Sequence, residues 1–196
     1  MKRLFDVSVV LLSLPATATV ALAFAALLAI ELRGNPLFVQ KRIGLNGAPF
    51  LMYKLRTMRS AATNEQPSYA VADWNTYVFS PSTVRDARIT RFGAIARSTS
   101  VDELPNLLNV FLGQMSLVGP RPEIPEIVAQ YPPEYRRRHA VQPGIAGWAQ
   151  VNGRSDLAYD AIMQYDLEYV ERRSFWFDLR ILWRTAMVVA AGSGAR

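Results

Sequence analysis

The sequence predicts a small α/β protein that is held at a membrane by one N-terminal helix. Three observations lead to this fold class. The chain has 196 residues, which is enough for one domain and an appendage. A run of 24 residues without a charge covers residues 7–30. After it, short extended segments alternate with amphipathic helical patterns, which is typical of a small mixed domain. We therefore expect a membrane helix over 1–33 and a domain with interfacial helices over 34–196.

The uncharged run is long enough to reach across a bilayer. As a continuous helix it would measure about 36 Å, and a bilayer core is about 30 Å thick. A cleaved signal peptide is the competing interpretation, but the apolar part of such a peptide has only about 7 to 15 residues. The chain after the run is also basic, which opposes export. The run is therefore interpreted as a membrane segment.

Pro15 bears on how this segment is arranged. It lies inside the run, where it removes a backbone hydrogen bond and favours a kink. Basic residues flank both ends, with Lys2 and Arg3 before the run and Arg33 after it, so the positive-inside rule places both ends on the cytoplasmic face. A re-entrant helix that bends at Pro15 satisfies both observations. A straight span with a tolerated proline fits the residues equally well.

The first part of the domain predicts a β-hairpin beside the membrane surface. Turn residues surround Leu37–Ile43, and Pro49–Leu55 follows as a second extended segment. The next interval, residues 60–83, is long, polar and interrupted by prolines. We expect a loop or flap there.

Helical periodicity marks most of the remaining chain. It predicts a helix that begins near Asp102 and ends before Gly113, a shorter helix over 124–131, and a helix over 156–172. Residues 145–151 are predicted to be extended. The last helix, over 175–189, places aromatic residues beside Arg180 and Arg184. That pattern suits a membrane interface, and packing against the domain's own core explains it equally well.

Composition limits the chemistry that this chain can perform. It has no Cys and a single His139, which excludes thiolate nucleophiles, Cys-ligated zinc and paired histidine metal sites. Carboxylates, hydroxyls, Lys and Arg must therefore carry any reaction. The formal net charge is +6, and the basic excess lies in the first 60 residues. Only three of the 22 cations are Lys, and Arg is the side chain whose planar fork suits phosphate oxygens.

Asp102 and Glu103 are adjacent carboxylates at the predicted start of a helix. Free N–H groups and the helix dipole stabilise anions there. Pro105 supports a start near Asp102, because proline is accepted only in a first helical turn. Asp102 could then face a phosphate or a divalent cation, or attack phosphorus as aspartyl-phosphate enzymes do. A structural interpretation competes, because Ser100 followed by Glu103 is a capping-box pattern.

Arg121 lies between two prolines, which hold it so that little freedom is lost when it binds an anion. Three further cations could contact a diphosphate, although each alone also fits a solvated surface charge: Lys54, Arg56 and Arg97. Asp166 shares a predicted helical face with apolar residues, so its charge needs a partner or a metal. The basic run 136–138 is interpreted as a solvated or lipid-facing surface without a chemical role.

Several long motifs occur in order along the chain. They are K-R-L-F-D at the start, Pro15 in the apolar run, Q-K-R-I-G-L-N-G, Y-K-L-R-T-M, V-D-E-L-P, S-L-V-G-P-R-P-E, P-G-I-A-G-W-A-Q-V-N-G-R and Y-D-L-E-Y-V. In this combination the chain resembles the bacterial sugar transferases, the monotopic phosphoglycosyl transferases that act on polyprenol phosphate. One departure is Leu14, which stands where the family often has Ser before the membrane proline.

The resemblance implies transfer of a sugar 1-phosphate from a UDP-sugar to undecaprenyl phosphate, with release of UMP. The location would be the cytoplasmic face of the bacterial inner membrane, as the first membrane step of surface glycan assembly. In the family, the residue that matches Asp102 attacks the sugar-bearing phosphate and forms a covalent intermediate. Mg²⁺ would be held by Asp102 and Glu103, and the role of Glu103 as base, metal ligand or positioning group stays open.

The resemblance also assigns the supporting residues. Four positions match family residues that hold phosphates or complete the site: Lys54, Arg97, Arg121 and Asp166. The helix break at Pro15 is a family trait, which favours the re-entrant arrangement. The expected partners are the UDP-sugar, undecaprenyl phosphate, membrane lipid and a second copy of the chain in a homodimer.

A non-enzymatic membrane module is the alternative to an enzyme. It would bind anionic lipid through the Arg-rich first third of the chain. Nucleic acid is not expected as a partner, because aromatic stacking residues interleaved with a basic strand are missing. Moderate salt would release a module that is attached by charge, but not an inserted helix. The motifs favour the transferase.

Overall fold

The computed structural model describes residues 1–60, 69–78, 86–153 and 157–190. Its longest element is the predicted membrane helix, α1 (Lys2–Leu32). This helix is long and apolar enough to cross a bilayer, and little of its apolar stretch is buried. It is uninterrupted through Pro15, so a re-entrant bend there stays a prediction. Arg33 ends α1 in the left-handed conformation, with φ 51°, and its N–H bonds to the carbonyl oxygen of Ile30.

The predicted hairpin is confirmed with the predicted bounds. Strands β1 (Leu37–Ile43) and β2 (Pro49–Leu55) pair antiparallel, from Leu37 opposite Leu55 to Ile43 opposite Pro49. Side chains alternate along β2, so Phe50, Met52 and Lys54 share one face. Phe50 and Met52 are buried in the core, which places half-buried Lys54 at the end of the same face.

The rest of the domain is built from short helices around a second pair of strands. Its helices are α2 (Arg91–Ser98), α3 (Asn106–Phe111), α4 (Pro125–Val128), α5 (Trp148–Asn152), α6 (Tyr159–Arg172) and α7 (Phe175–Ala190). Two 3₁₀ segments, Val101–Glu103 and Pro133–Ala140, lie among them. Strands β3 (Ser116–Val118) and β4 (Gly144–Ala146) pair in parallel. The helical predictions for α4, α6 and α7 are confirmed, and residue 156 lies outside the described residues.

Two predictions of local structure are wrong. The helix that was expected from Asp102 begins as an α-helix only at Asn106. Pro105 has no N–H to continue α-helical bonding, and Glu103 and Leu104 bond to carbonyl oxygens three residues back, as in a 3₁₀ helix. The predicted extended segment 145–151 ends after two residues, because β4 stops at Ala146 and α5 follows. A short buried apolar run does not distinguish strand from helix by its pattern.

Helix α2 was not predicted, and its sequence explains why. Gly93 lies inside it, and an internal glycine lowers helix propensity. The structure requires glycine there, because a Cβ atom at residue 93 would lie 2.2 Å from the carbonyl oxygen of Thr57. The close approach of α2 to the chain after β2 therefore outweighs the local propensity.

The predicted loop over 60–83 is described only in part. Residues 69–78 contain no helix or strand, as predicted, whereas residues 61–68 and 79–83 lie outside the described residues. This segment packs on the start of α6, where the carbonyl oxygens of Tyr77 and Trp74 accept from the backbone N–H groups of Tyr159 and Asp160.

The core consists of two clusters. The first joins α1, β2, β3, α6 and α7 through Val10, Met52, Val118, Tyr169, Phe177 and Ile181, among others. The second is rich in aromatic residues and lies beneath segment 69–78, with Ile127, Tyr131, Tyr135, Tyr159, Met163 and Trp74.

Helices α3 and α7 leave large apolar side chains exposed. In α3 and at its C-cap, Leu108, Phe111 and Leu112 are about half exposed, whereas the polar side chain of Asn109 is buried. Asn109 is satisfied because its amide donates to the carbonyl oxygen of Leu51 at 2.6 Å and accepts from the N–H of Tyr53 at 3.2 Å. On α7, Phe177 and Ile181 enter the core, while the face that contains Trp176, Trp183 and Met187 is exposed.

Candidate active site

Asp102 and Glu103 lie in the 3₁₀ turn that joins α2 to α3. Ser100 precedes them in the left-handed conformation, with φ 58°, so the chain changes direction sharply after α2. The Ser100 side chain makes no cap hydrogen bond, and the Glu103 carboxylate bonds to side chains of other elements. The capping-box interpretation is therefore wrong for this pair.

Glu103 is held by two cations from separate parts of the fold. Its Oε1 accepts from Lys54 Nζ at 2.9 Å and from Arg121 Nη2 at 2.8 Å. Burial would raise the pKa of Glu103, but the charges of Arg121 and Lys54 hold it well below its usual range. Glu103 is therefore ionised at neutral pH. It ties β2, the turn after α2 and the loop after β3 together.

The two cations of this cluster differ in exposure. Burial and the charge of Arg121 lower the pKa of Lys54, while Glu103 opposes that change. Glu103 raises the pKa of Arg121. The Arg121 side chain is 44% exposed, against 13% for Lys54. Arg121 can thus bind an anion from solvent while it still bonds to Glu103, because its guanidinium has five N–H donors.

Asp102 lies beside this cluster in a different state. Within the described residues its carboxylate has no hydrogen-bond partner. Burial first, and then the negative charge of Glu103, raise the pKa of Asp102 to about 6, although Lys54, Arg121 and Arg97 act in the opposite direction. Asp102 is therefore mostly ionised at pH 7 and is free to engage a ligand. A perturbed carboxylate of this kind is typical of a functional site.

The structure places the other predicted cations unequally. Arg97 lies in the last turn of α2, and its positive charge acts on Asp102, while its Nη1 lies 3.8 Å from the sulfur of Met58. Arg56 is engaged next to β2, where it donates to the carbonyl oxygen of Met58 at 3.2 Å and to Ser60 Oγ at 2.5 Å. Lys54, Arg97 and Arg121 thus surround the dyad, whereas Arg56 makes local contacts.

Asp166 lies beneath the loop that carries Arg121. Its predicted need for a partner is met by Arg138, whose Nη2 is 2.6 Å from Asp166 Oδ2. Each of these two side chains is only 2% exposed. The same nitrogen of Arg138 donates to the carbonyl oxygen of Arg121 at 2.7 Å. The prediction that residues 136–138 form a surface run is therefore wrong for Arg138, which is buried and supports the Arg121 backbone.

A chain of hydrogen bonds continues from Arg138 to the hairpin. Arg138 Nη1 donates to the Tyr131 hydroxyl at 2.7 Å, which lies 2.6 Å from the Tyr159 hydroxyl. Tyr159 donates to Glu123 Oε2 at 3.1 Å, and Arg42 donates to Glu123 Oε1 at 3.0 Å. These buried polar groups fix the loop between β3 and α4 from below.

Comparison with known proteins identifies the family. A family model described as bacterial sugar transferase matches residues 1–192. The chain belongs to the bacterial sugar transferase family. A Bacillus subtilis relative named uncharacterized sugar transferase EpsL is 39% identical over 197 residues, covering 99% of this chain and 89% of that relative. The resemblance inferred from the motifs is thereby confirmed, and the chain is a transferase.

Relatives with named activities are similar at the same level. A UDP-glucose:undecaprenyl-phosphate glucose-1-phosphate transferase of Xanthomonas campestris is 39% identical over 196 residues, covering 96% of this chain and 38% of the relative. A protein of the same name in Caulobacter vibrioides is 40% identical over 192 residues, covering 94% of this chain and 67% of the relative. This sugar transferase therefore spans well under half of the Xanthomonas protein.

Sequence reasoning missed the buried residues that support the candidate site. Arg138 was hidden in a run of three arginines, and Glu123, Tyr131, Tyr159 and Arg42 were not selected. The sequence spacing held one indication that Arg138 is buried, because side chains three residues apart lie on the same face of a 3₁₀ helix. Tyr135 and Arg138 are three residues apart in Pro133–Ala140, and both are buried.

Proposed function

We propose that this sugar transferase moves a sugar 1-phosphate from a UDP-sugar to undecaprenyl phosphate and releases UMP. The names of the Xanthomonas and Caulobacter relatives support this reaction. A relative in Aeromonas hydrophila, 35% identical over 201 residues, is named for the N-acetylgalactosamine donor instead. The observation that carries the proposal is the Asp102 carboxylate, which has no hydrogen-bond partner among the described residues and lies beside a cluster of cations. The sugar itself is left open, because the relatives differ in it.

In the first step, an Asp102 carboxylate oxygen attacks the sugar-bearing phosphorus of the UDP-sugar. A bond forms between that oxygen and phosphorus, and the bond from phosphorus to the bridging oxygen of the diphosphate breaks. UMP leaves with the electron pair, and an aspartyl-phosphosugar remains on the enzyme. The Asp102 carboxylate is mostly ionised at pH 7, so in most molecules no proton has to be removed first.

In the second step, a phosphate oxygen of undecaprenyl phosphate attacks the same phosphorus. The acyl–phosphate bond to Asp102 breaks, and the electron pair returns to the carboxylate. The product is undecaprenyl diphosphate sugar. Lys54, Arg97 and Arg121 stabilise the negative charge on the phosphoryl oxygens in both steps. Glu103 holds Lys54 and Arg121 in place for this task.

Mg²⁺ fits this site as an ion that oxygens of the protein and of the substrate coordinate together. No group of three acidic or histidine side chains that could hold a metal occurs among the described residues. Asp102 and Glu103 offer hard carboxylate oxygens, and Mg²⁺ is usually bound by one or two carboxylates together with substrate phosphates and water. We propose that Asp102 and Glu103 hold the ion. When bound, it would neutralise charge on the diphosphate.

The membrane arrangement that we propose is a re-entrant helix at the cytoplasmic face of the bacterial inner membrane. Both ends of α1 contact the same domain: Lys2 pairs with Asp178 of α7 at 2.5 Å, and Glu31 accepts from the backbone of α2. Between these ends, most large apolar residues are exposed, including Leu12 and Leu22. Two ends held by one domain are most simply placed on one side of a bilayer.

The exposed apolar residues of α3 and α7 support interfacial contact with lipid. Monomeric soluble proteins rarely expose large contiguous apolar patches. Tryptophan is enriched where a protein meets lipid headgroups, and Trp176 and Trp183 are 78% and 69% exposed. We propose that these helices lie in the interface, where the active site can meet the phosphate of the lipid acceptor.

The reaction is tested by measuring UMP release from protein in nanodiscs with undecaprenyl phosphate and Mg²⁺. The donors are UDP-glucose, UDP-galactose and UDP-N-acetylgalactosamine. Asp102→Asn is compared with Asp73→Asn, which makes the same change at an exposed residue. We expect UMP with at least one donor, retained by Asp73→Asn and lost by Asp102→Asn. Release of the protein from membranes by moderate salt, with no UMP from any donor, would instead support the lipid-binding module.

A further inference from the structure

Helix α1 contains only two acidic residues, Asp6 and Glu31, and both bond into the domain. Asp6 is buried, and its carboxylate accepts from Ser116 Oγ at 2.7 Å and from the Leu117 N–H at 3.4 Å. Ser116 Oγ accepts in turn from the Val118 N–H at 3.3 Å. The N-terminal end of the membrane helix is thus hydrogen-bonded, directly or through Ser116, along the whole of β3.

The path from β3 to Arg121 is short and tightly packed. Gly119 follows β3, and its N–H donates to the carbonyl oxygen of Ala146 at 2.9 Å. A Cβ atom on Gly119 would lie 2.3 Å from the carbonyl oxygen of Gln142. The chain between β3 and Arg121 therefore has little room to move. A displacement of β3 relative to α1 would be passed on to the Arg121 guanidinium.

The other end of α1 is attached to the segment that leads to Asp102. Glu31 Oε1 accepts from the Arg91 N–H at 2.7 Å, and Oε2 accepts from the Phe92 N–H at 3.0 Å. These are first-turn donors of α2, which have no partner within their own helix. Helix α2 ends at Ser98, directly after Arg97 and four residues before Asp102.

We propose that Asp6 and Glu31 are positioning residues through which the membrane helix braces the two halves of the active site. Asp6 sets the position of Arg121 through β3, and Glu31 sets the positions of Arg97 and Asp102 through α2. The inference rests on the proposed function for its catalytic consequence. It adds a task for α1 besides anchoring, because one helix links the nucleophile and the arginine that binds its phosphate.

The main test compares Glu31→Ala and Glu31→Gln with Glu126→Ala. Glu126 is an exposed acid in the first turn of α4, so its replacement removes the same charge without touching α1. For Glu31→Ala we expect kcat to fall about 10- to 100-fold, as for a small misplacement of catalytic groups, with the KM of the donor changed by less than about threefold. Glu31→Gln keeps one acceptor oxygen, so its kcat should lie between those of the wild type and Glu31→Ala. Glu126→Ala should match the wild type.

Hydrogen–deuterium exchange gives a readout that does not depend on activity. In Glu31→Ala, peptides that cover residues 91–104 should exchange faster, while hairpin peptides should not change. Ser116→Ala, which removes the hydroxyl bonded to Asp6, should have the same effect on residues 116–121. If the wild type transfers no sugar, the proposed function fails, and exchange still tests the brace. Unchanged exchange and unchanged kcat in both Glu31 variants would overturn the inference.

A further variant separates bracing from local helix capping. Arg91 is the first residue of α2, a position where proline is favoured and has no N–H to satisfy. Glu31→Ala combined with Arg91→Pro removes one of the two unpaired N–H groups and should repair part of a merely local loss of capping. The brace predicts that kcat stays low in this double variant. A clear rise of kcat above that of Glu31→Ala would show that Glu31 only caps α2.

Discussion

The buried pair of Arg138 and Asp166 gives the sharpest prediction about stability. Their side chains are each 2% exposed and joined at 2.6 Å. Arg138→Met would leave the Asp166 carboxylate buried without its cation, and breaking such a pair costs about 3–5 kcal/mol. In a chain of this size 1 kcal/mol corresponds to about 2–4 °C in Tm. We therefore expect Arg138→Met to lower the Tm of the protein in nanodiscs by about 6–20 °C.

Replacing both partners should be less damaging than replacing one. Arg138→Met combined with Asp166→Leu removes both charges, and an apolar pair of similar volume is often as stable as a buried ion pair. The double variant should therefore recover most of the lost Tm. Its activity should stay low, because Arg138 also holds the carbonyl oxygen of Arg121. If the Tm loss of the double variant equals the sum of the losses of Arg138→Met and Asp166→Leu measured separately, the pairing argument is wrong.

The stability of the single variant Arg138→Met should depend on pH. Burial already raises the pKa of Asp166, although Arg138 lowers it, so removal of Arg138 should raise that pKa further. The folded state would then bind a proton that the unfolded state releases, and its stability increases as pH falls. The Tm difference between Arg138→Met and the wild type should be larger at pH 8 than at pH 5. An equal difference at both values would refute this reasoning.

Three further predictions concern catalysis. Because the pKa of Asp102 is about 6, UMP formation should decline below pH 6, approaching tenfold per pH unit, and a flat rate from pH 5 to 8 would contradict the role of an ionised Asp102. Lys54→Met should reduce kcat/KM for the donor at least about 100-fold, whereas Arg56→Met should reduce it less than about tenfold, because only Lys54 bonds to Glu103. Removal of divalent ions with EDTA should abolish UMP release and added Mg²⁺ should restore it, whereas full activity in EDTA would exclude the proposed ion.

Local patterns predicted much of the fold. The hairpin bounds followed from turn residues on either side of two short apolar segments, and the periodicity of α6 and α7 was sufficient to place them. The start of α3 and the end of β4 were not predictable in this way. At both places the backbone changes conformation within a few residues. Pro105 delays the start of α3, and β4 ends at Ala146 where its pairing with β3 ends.

The site was only partly predictable for a related reason. Asp102, Glu103 and Arg121 stood out through their neighbours in the sequence. The partnership of Arg138 with Asp166 joins positions 28 residues apart, and no local spacing indicates it. The contacts of Asp6 and Glu31 are longer still, at 110 and 60 residues from their partners Ser116 and Arg91. Such contacts depend on how the elements pack, which the local pattern does not encode.

The central claim is that Asp102 forms a covalent bond to the phosphosugar. The most direct test is to incubate the protein with a UDP-sugar that gives UMP, without undecaprenyl phosphate, and to examine its peptides by mass spectrometry. The account predicts a mass increase of one sugar phosphate on Asp102, which disappears when undecaprenyl phosphate is added and is missing in Asp102→Asn. A phosphosugar on Glu103, or rapid turnover in which neither carboxylate is ever modified, would contradict it.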